Sequence, residues 1–181
     1  RVSIVCQPES FMWNKCQFIT SPNFNCYPLP MKNPANPLSF FRLLRILKKA
    51  KPDVIHTHSS IDSWLAGSVS KFAGIPVVRS RHISIPIKSI FPNNWLYSRI
   101  PKKIITSGEA ISNVVTGVSG VKAENVKSVA AGVDFRRFDF NINGEAIRKE
   151  LKLKPDQLLI GKIGVIRGWK GYDYLLEAAS L

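Results

Sequence analysis

Four stretches of this chain place chemically able side chains where apolar runs end. In Asp53–Asp62 (DVIHTHSSID) an apolar, β-branched run gives way to His56, His58, Ser59, Ser60 and Asp62, just before a helical pattern begins near Ile61. Ligands of open α/β sheets bind beyond the carboxyl ends of the strands, which makes this polar cluster a candidate substrate site. Ser59 or Ser60 equally suits a helix N-cap, and His56 has the position of a ring packed into the layer on the sheet. Gly74–His82 (GIPVVRSRH) repeats the arrangement with Arg79, Arg81 and His82 at its end. An arginine fork can hold phosphate or sugar hydroxyls, and an imidazole donates or accepts according to its tautomer; solvated loop charges are the competing reading. In Thr106–Glu109, Gly108 permits close backbone approach, while Glu109 in a first helical turn suits either a substrate contact or the helix dipole. Ile160–Gly171 (IGKIGVIRGWKG) is a strand pattern, a loop punctuated by Gly164, Gly168 and Gly171, and then a helix. Arg167 and Lys170 bring positive charge to that helix start, an arrangement suited to phosphate. Neither G-x-x-x-x-G-K-[ST] nor G-x-G-x-x-G occurs, so kinase-like and dehydrogenase chemistry have no motif here.

The elements that must position these residues alternate short apolar runs with helical periodicity, the pattern of βαβ units on a parallel sheet. Strands are expected at 1–6, 26–29, 53–56, 76–79, 103–106, 126–130 and 158–163, and helices at 37–51, 61–73, 109–118, 144–151 and 171–181. The expected fold is α/β: a Rossmann-like parallel sheet with helices on both faces, followed by the first strand and helix of a second such domain. On helix 37–51, Phe40, Leu43, Leu44 and Leu47 share one face, and Arg42, Arg45 and Lys49 the opposite one, with Phe41 on the flank. That basic back is either solvated or a membrane-facing surface.

At 181 residues and 45% hydrophobic, the chain can bury a real core, which excludes overall disorder. No apolar run approaches the ~18 residues of a membrane span, and a chain beginning at Arg1 reads as an internal fragment. Cys6, Cys16 and Cys26 are odd in number and lack C-x-x-C spacing, which speaks against a disulfide framework or zinc module and for a reducing, cytoplasmic setting. The net charge of +14 favours an anionic partner. Most of it lies early: residues 1–134 hold 17 basic and 6 acidic side chains, the remainder 9 and 6.

The segments KPDVIHTH (51–58), GIPVVRSRH (74–82), TSGEAI (106–111), GVDFRRF (132–138) and RGWKGYDYLLEA (167–178), in this order, resemble the group 1 (family 4) glycosyltransferases. The resemblance implies the GT-B architecture, in which two Rossmann-like domains grip acceptor and nucleotide-sugar. Residues 1–134 would be the acceptor domain without its first strand and glycine-rich loop. Residues 135–181 would be the interdomain crossing and the truncated start of the donor domain. Most of the donor domain, with the family's later pair of glutamates, is not in the sequence, and because a nucleotide-sugar needs both domains the fragment itself would be inactive. By the same resemblance His82 is the histidine near the transferred sugar and Lys170 holds the donor diphosphate, with Arg167 and Gly164 beside it. His58, Ser59, Ser60, Asp62, Arg79, Arg81 and Glu109 would face the acceptor. Arg167 departs from the family pattern, standing three residues before the lysine rather than five, where this chain has Val165. Ala130 and Ala131 likewise replace the usual residues before Gly132.

What the resemblance implies is a retaining transfer from a nucleotide-sugar to a glycan or lipid-linked acceptor in cell-envelope polysaccharide synthesis. No metal or other cofactor is expected, so fixed cations would stabilise the departing diphosphate. An anionic membrane surface at the inner face of the cell membrane is a candidate partner; nucleic acid is not expected, for want of a recognition motif. The alternatives are a non-catalytic anion- or nucleic-acid-binding α/β module, and a nucleotide-sugar epimerase of the same architecture.

Overall fold

The computed structural model describes residues 1–139 and 141–180. The chain divides into two compact units, Arg1–Gly132 and Val133–Leu181.

In the first unit the order is β1 (Val2–Cys6), α1 (Phe11–Cys16), β2 (Phe24–Pro28), α2 (Pro37–Ala50), β3 (Ile55–Thr57), α3 (Ser60–Ala73), β4 (Val77–Arg81), α4 (Asn93–Ser98), β5 (Pro101–Thr106), α5 (Glu109–Thr116) and β6 (Val126–Ser128). Every strand pairing is parallel: β1 with β2, and β3, β4, β5 and β6 side by side in chain order. Parallel neighbours need a crossover, and a helix fills each one within the two sheets. β1 and β3 do not pair with each other. Ser3 and Val5 on one and Ile55–Thr57 on the other line a common cavity of about 140 Å³, with Leu43, Leu47 and Leu65 also in its wall.

Two apolar clusters hold this unit. Leu29, Leu43, Leu47, Leu65 and Val69 join α2 and α3 to the chain beyond β2, and Val77, Leu96, Ile104, Ile111 and Val115 lie between the four-stranded sheet and α4 and α5. Helix limits follow local chemistry. Asn36 caps α2 by accepting from the Leu38 N–H at 2.9 Å, and Pro37 opens the helix. α3 starts with a reciprocal capping box between Ser59 and Asp62 and ends at Gly74, whose φ of 69° lies in the left-handed region. On α2, Leu43 and Leu47 are buried while Arg42, Arg45 and Lys49 are exposed, as the periodicity predicts. α1 and α4, six residues each, lie outside the sequence expectation.

The second unit contains α6 (Glu145–Glu150), a 3₁₀ turn at Gly168–Lys170 and α7 (Tyr172–Ala179). The expected strand at 158–163 does not form: these residues have no ladder partner, and Leu158 and Ile163 are 91% and 105% exposed. An apolar run becomes a strand only where neighbouring strands supply its hydrogen bonds, and no other described segment of this unit is a strand. The expected last residue of the final helix, Leu181, lies outside the described residues. Among the described residues no helix is long and apolar enough to cross a membrane.

Candidate functional site

The ends of β3 and β4 are adjacent because Ile55, His56 and Thr57 pair with Val77, Val78 and Arg79. Strand alternation then sends successive residues to opposite faces. His56, Ser80, His58 and His82 come together on one side. The His56 and His58 rings are 4.3 Å apart between centroids, and those of His58 and His82 stack at 5.7 Å with an interplanar angle of 4°. His58 Nδ1 lies 3.4 Å from His82 Nε2, and His56 Nε2 lies 2.8 Å from Ser80 Oγ. All three histidines of the chain thus form one row along the carboxyl edge of the sheet. His56 is exposed rather than packed into the layer on the sheet, a correction to the sequence expectation. Partial burial, and then the neighbouring His58 and His82, push its pKa below the ordinary imidazole value, with Asp62 opposing them.

The other side of β4 carries the two arginines. Arg79 is 3% exposed and Arg81 half-buried. Both bond the phenol of Tyr97 on α4: Arg79 Nη2 donates to its oxygen at 3.1 Å and Arg81 Nη1 at 2.6 Å. The Arg79 guanidinium also lies over the Tyr97 ring, 4.0 Å from its centroid, and Arg81 Nη2 donates to the Ile85 carbonyl at 2.5 Å. Arg79 Nε and Nη1 and Arg81 Nε are buried without a hydrogen-bond partner. Burial lowers the Arg79 pKa from its ordinary value, the phenol opposing this and Arg81 adding to it. Tyr97 is the neighbour of both arginines that sequence reading missed, since 16 and 18 residues separate it from its partners.

Ser59 and Asp62 serve the helix start. Asp62 accepts the His58 and Ser59 N–H groups at 2.8 Å each, and the Ser59 hydroxyl donates to the same carboxylate at 3.0 Å. They fix the backbone at His58. Ser60 is exposed at the first position of α3. Glu109 is exposed at the first position of α5, after an extended Gly108 where an added Cβ would meet only open space. In the second unit the Tyr172 hydroxyl donates to the Gly164 carbonyl at 2.8 Å. Arg167 precedes the 3₁₀ turn, and its carbonyl accepts the Lys170 N–H at 2.8 Å. Lys162, which the sequence reading left out, bonds the carbonyls of Lys170 and Gly171, the latter at 3.0 Å.

A strand edge with a row of imidazoles and two uncompensated guanidiniums is equipped to orient a polyhydroxylated or anionic substrate. The model of Glycosyltransferase Family 4 matches residues 1–137. The chain belongs to glycosyltransferase family 4. Within this family setting, a D-inositol 3-phosphate glycosyltransferase from Actinosynnema mirum is 28% identical over 148 residues, covering 71% of this chain and 34% of that protein. The UDP-Gal:alpha-D-GlcNAc-diphosphoundecaprenol alpha-1,3-galactosyltransferase of Escherichia coli is 28% identical over 152 residues, covering 78% and 39%. The chain spans less than two fifths of the length of these relatives. A glycosyltransferase structure from Rickettsia africae matches with a TM-score of 0.77 at 17% identity, over 98% of this chain and 48% of that one. Anabaena HepE in complex with UDP-glucose matches with a TM-score of 0.68 at 16% identity, over 86% and 44%. These likenesses show the fold: parallel sheets with helices on both sides, as in GT-B glycosyltransferases.

Proposed function

We propose that the protein transfers a sugar, with retention, from a nucleotide-sugar to a glycan or lipid-linked acceptor of cell-envelope synthesis, working in the cytoplasm at the inner membrane face. The observation that carries this reading is the histidine row at the carboxyl edge of β3 and β4, with His82 at its open end, in a chain of family 4. In the proposed reaction the bond between the anomeric carbon and the diphosphate oxygen breaks, and a bond to the acceptor oxygen forms on the same face. The departing diphosphate takes the acceptor proton. Lys170 and Arg167 offset the charge developing on that diphosphate, with no metal ion needed, and His82 orients the sugar. The two named relatives, by their names, act on phosphate-bearing acceptors, and HepE holds UDP-glucose, which supports the donor and acceptor classes.

The test is to offer the full protein a panel of UDP-, GDP- and ADP-sugars and follow sugar release or transfer. Consumption of one nucleotide class, abolished by about 100-fold or more in Lys170→Ala, is the expected result. A loss under threefold in that variant would remove the diphosphate role, and no consumption of any donor would remove the transferase reading.

A further inference from the structure

A cavity of about 240 Å³ opens at the carboxyl end of β4, on the arginine side and not the histidine side. Ser60, Trp64, Arg81, Lys88, Asn93 and Tyr97 line it, so it lies between the start of α3, the loop after β4 and the start of α4. Behind it stands a charge arrangement that the fold leaves unanswered. Arg79 and Arg81 share one neutral phenol, Arg81 also donates to the Ile85 carbonyl, and three of their nitrogens are buried with no partner among the described residues. Among the described residues the only ion pair is Lys122–Glu124, at 4.0 Å. Asp62, the carboxylate whose charge reaches Arg79, already accepts two backbone N–H groups. Buried cations are costly unless paired, and unpartnered buried donors are rare in native proteins. Here the cations are also held rigid, by stacking and hydrogen bonding to Tyr97, so their positive potential is fixed before any ligand arrives. Lys88 is exposed on the cavity wall and, with Ser60, supplies donors that a ligand can reach.

From this juxtaposition we infer that the cavity binds a phosphate group carried by the acceptor, beside rather than within the histidine row. The inference rests on the transferase reading and narrows its acceptor to a phosphorylated one. Neutral glycans would leave the two guanidiniums uncompensated; a phosphate supplies the missing charge, and Trp64 offers an apolar wall for the group that bears it.

The experiment measures binding to the full protein by calorimetry, with glucose 1-phosphate, its neutral counterpart methyl glucoside, and phosphatidylcholine vesicles with and without a prenyl phosphate. Glucose 1-phosphate or the prenyl phosphate vesicles should bind at least ~10-fold more tightly than the neutral counterpart, with affinity falling as salt rises. Lys88→Glu should reverse this preference, and Arg81→Gln should weaken it ~10-fold. Preference for the vesicles over glucose 1-phosphate places the phosphate on a lipid, and the opposite preference places it on a soluble sugar. Equal binding of charged and neutral probes, or a folded Lys88→Glu protein that binds phosphate as the wild type does, overturns the inference. Should Arg81→Gln not fold, the exposed Lys88 variant decides. Nucleotide-sugar hydrolysis by the wild-type protein is followed in parallel. Hydrolysis without phosphate binding refutes the phosphate site alone, whereas phosphate binding without hydrolysis of any donor refutes the transferase reading and leaves an anion site.

Discussion

Both oxygens of the Asp62 carboxylate accept backbone N–H groups, from His58 and Ser59, so the backbone beneath His58 is fixed, and the capping alternative that the sequence offers at Ser59 is realised. His58 and His82 were legible as site candidates because residues at the end of a strand pattern must reach the sheet edge. The position of His56 was not: its ring stands exposed, with Nε2 2.8 Å from the buried hydroxyl of Ser80 on the neighbouring strand. The lowered pKa of His56 has a sign that can be tested. Its folded-state value lies below the ~6.5 of an unfolded chain, so between these values the unfolded chain binds more protons. The contribution to stability is complete above about pH 6.5 and is lost as pH falls through the folded-state value. Thermal unfolding of wild type and His56→Gln from pH 8 to pH 5 should therefore show a steeper acid loss in the wild type. Parallel curves would remove His56 from the account. The pKa of the half-buried Cys26 thiol is pushed up to about 12, mainly by desolvation and then by its contacts with Cys16 and Cys6, which keeps it protonated and unreactive at neutral pH.

The same device locks two of the strand-to-helix junctions. Ser63 Oγ donates to Thr57 Oγ1 at 2.9 Å across the start of α3, and Thr106 Oγ1 lies 2.6 Å from Ser112 Oγ across the start of α5. In each case a threonine ending a strand meets a serine six residues on, buried, so the junction keeps its shape beside the site. This spacing was present in the sequence, yet only the turn between the two residues makes it a bond. The larger strand and helix order was readable because periodicity and caps agree in α2 and α3, and because α5 opens with Glu109 in its first turn and keeps its helical periodicity. α4 was not, being one short turn and a half without a side-chain cap, although it carries Tyr97. Close packing on α3 gives a second test. A Cβ on Gly67 would stand 2.5 Å from Ile100 Cδ1 and 2.6 Å from its Cγ2. Gly67→Ala gains ~1 kcal/mol of helix propensity but incurs about 1–3 kcal/mol of overpacking, and the clash should win. Denaturant unfolding should show a net loss of up to ~2 kcal/mol; a clear gain would mean that Ile100 moves aside freely.

Across the whole molecule the excess of positive charge sits mainly in residues 1–134, and the sequence already sets Phe41 on the flank of the basic face of α2; packing adds Phe72. Phe40 makes edge-to-face contacts with Phe41 on the same helix and Phe72 on α3; Phe41, on the flank of the basic back of α2, and Phe72, on the Phe40 side, both remain mostly exposed. Phe72 lies 32 residues from Phe40, too far along the chain for a periodicity argument to join them. If this surface meets the membrane in the proposed function, Arg42, Arg45 and Lys49 should each contribute about 1 kcal/mol to binding anionic vesicles. Sedimentation with anionic and neutral vesicles checks this; equal binding to both, or no effect of replacing all three cations, leaves the face merely solvated. The central claim, that His82 faces the sugar being transferred, is tested most directly by turnover and thermal unfolding of His82→Ala in the full protein. The ring is exposed and its contact is with His58, so stability should change by less than about 1 kcal/mol while turnover falls by roughly 10²-fold or more. A folded His82→Ala protein with near-normal turnover, or one that fails to fold, would contradict it.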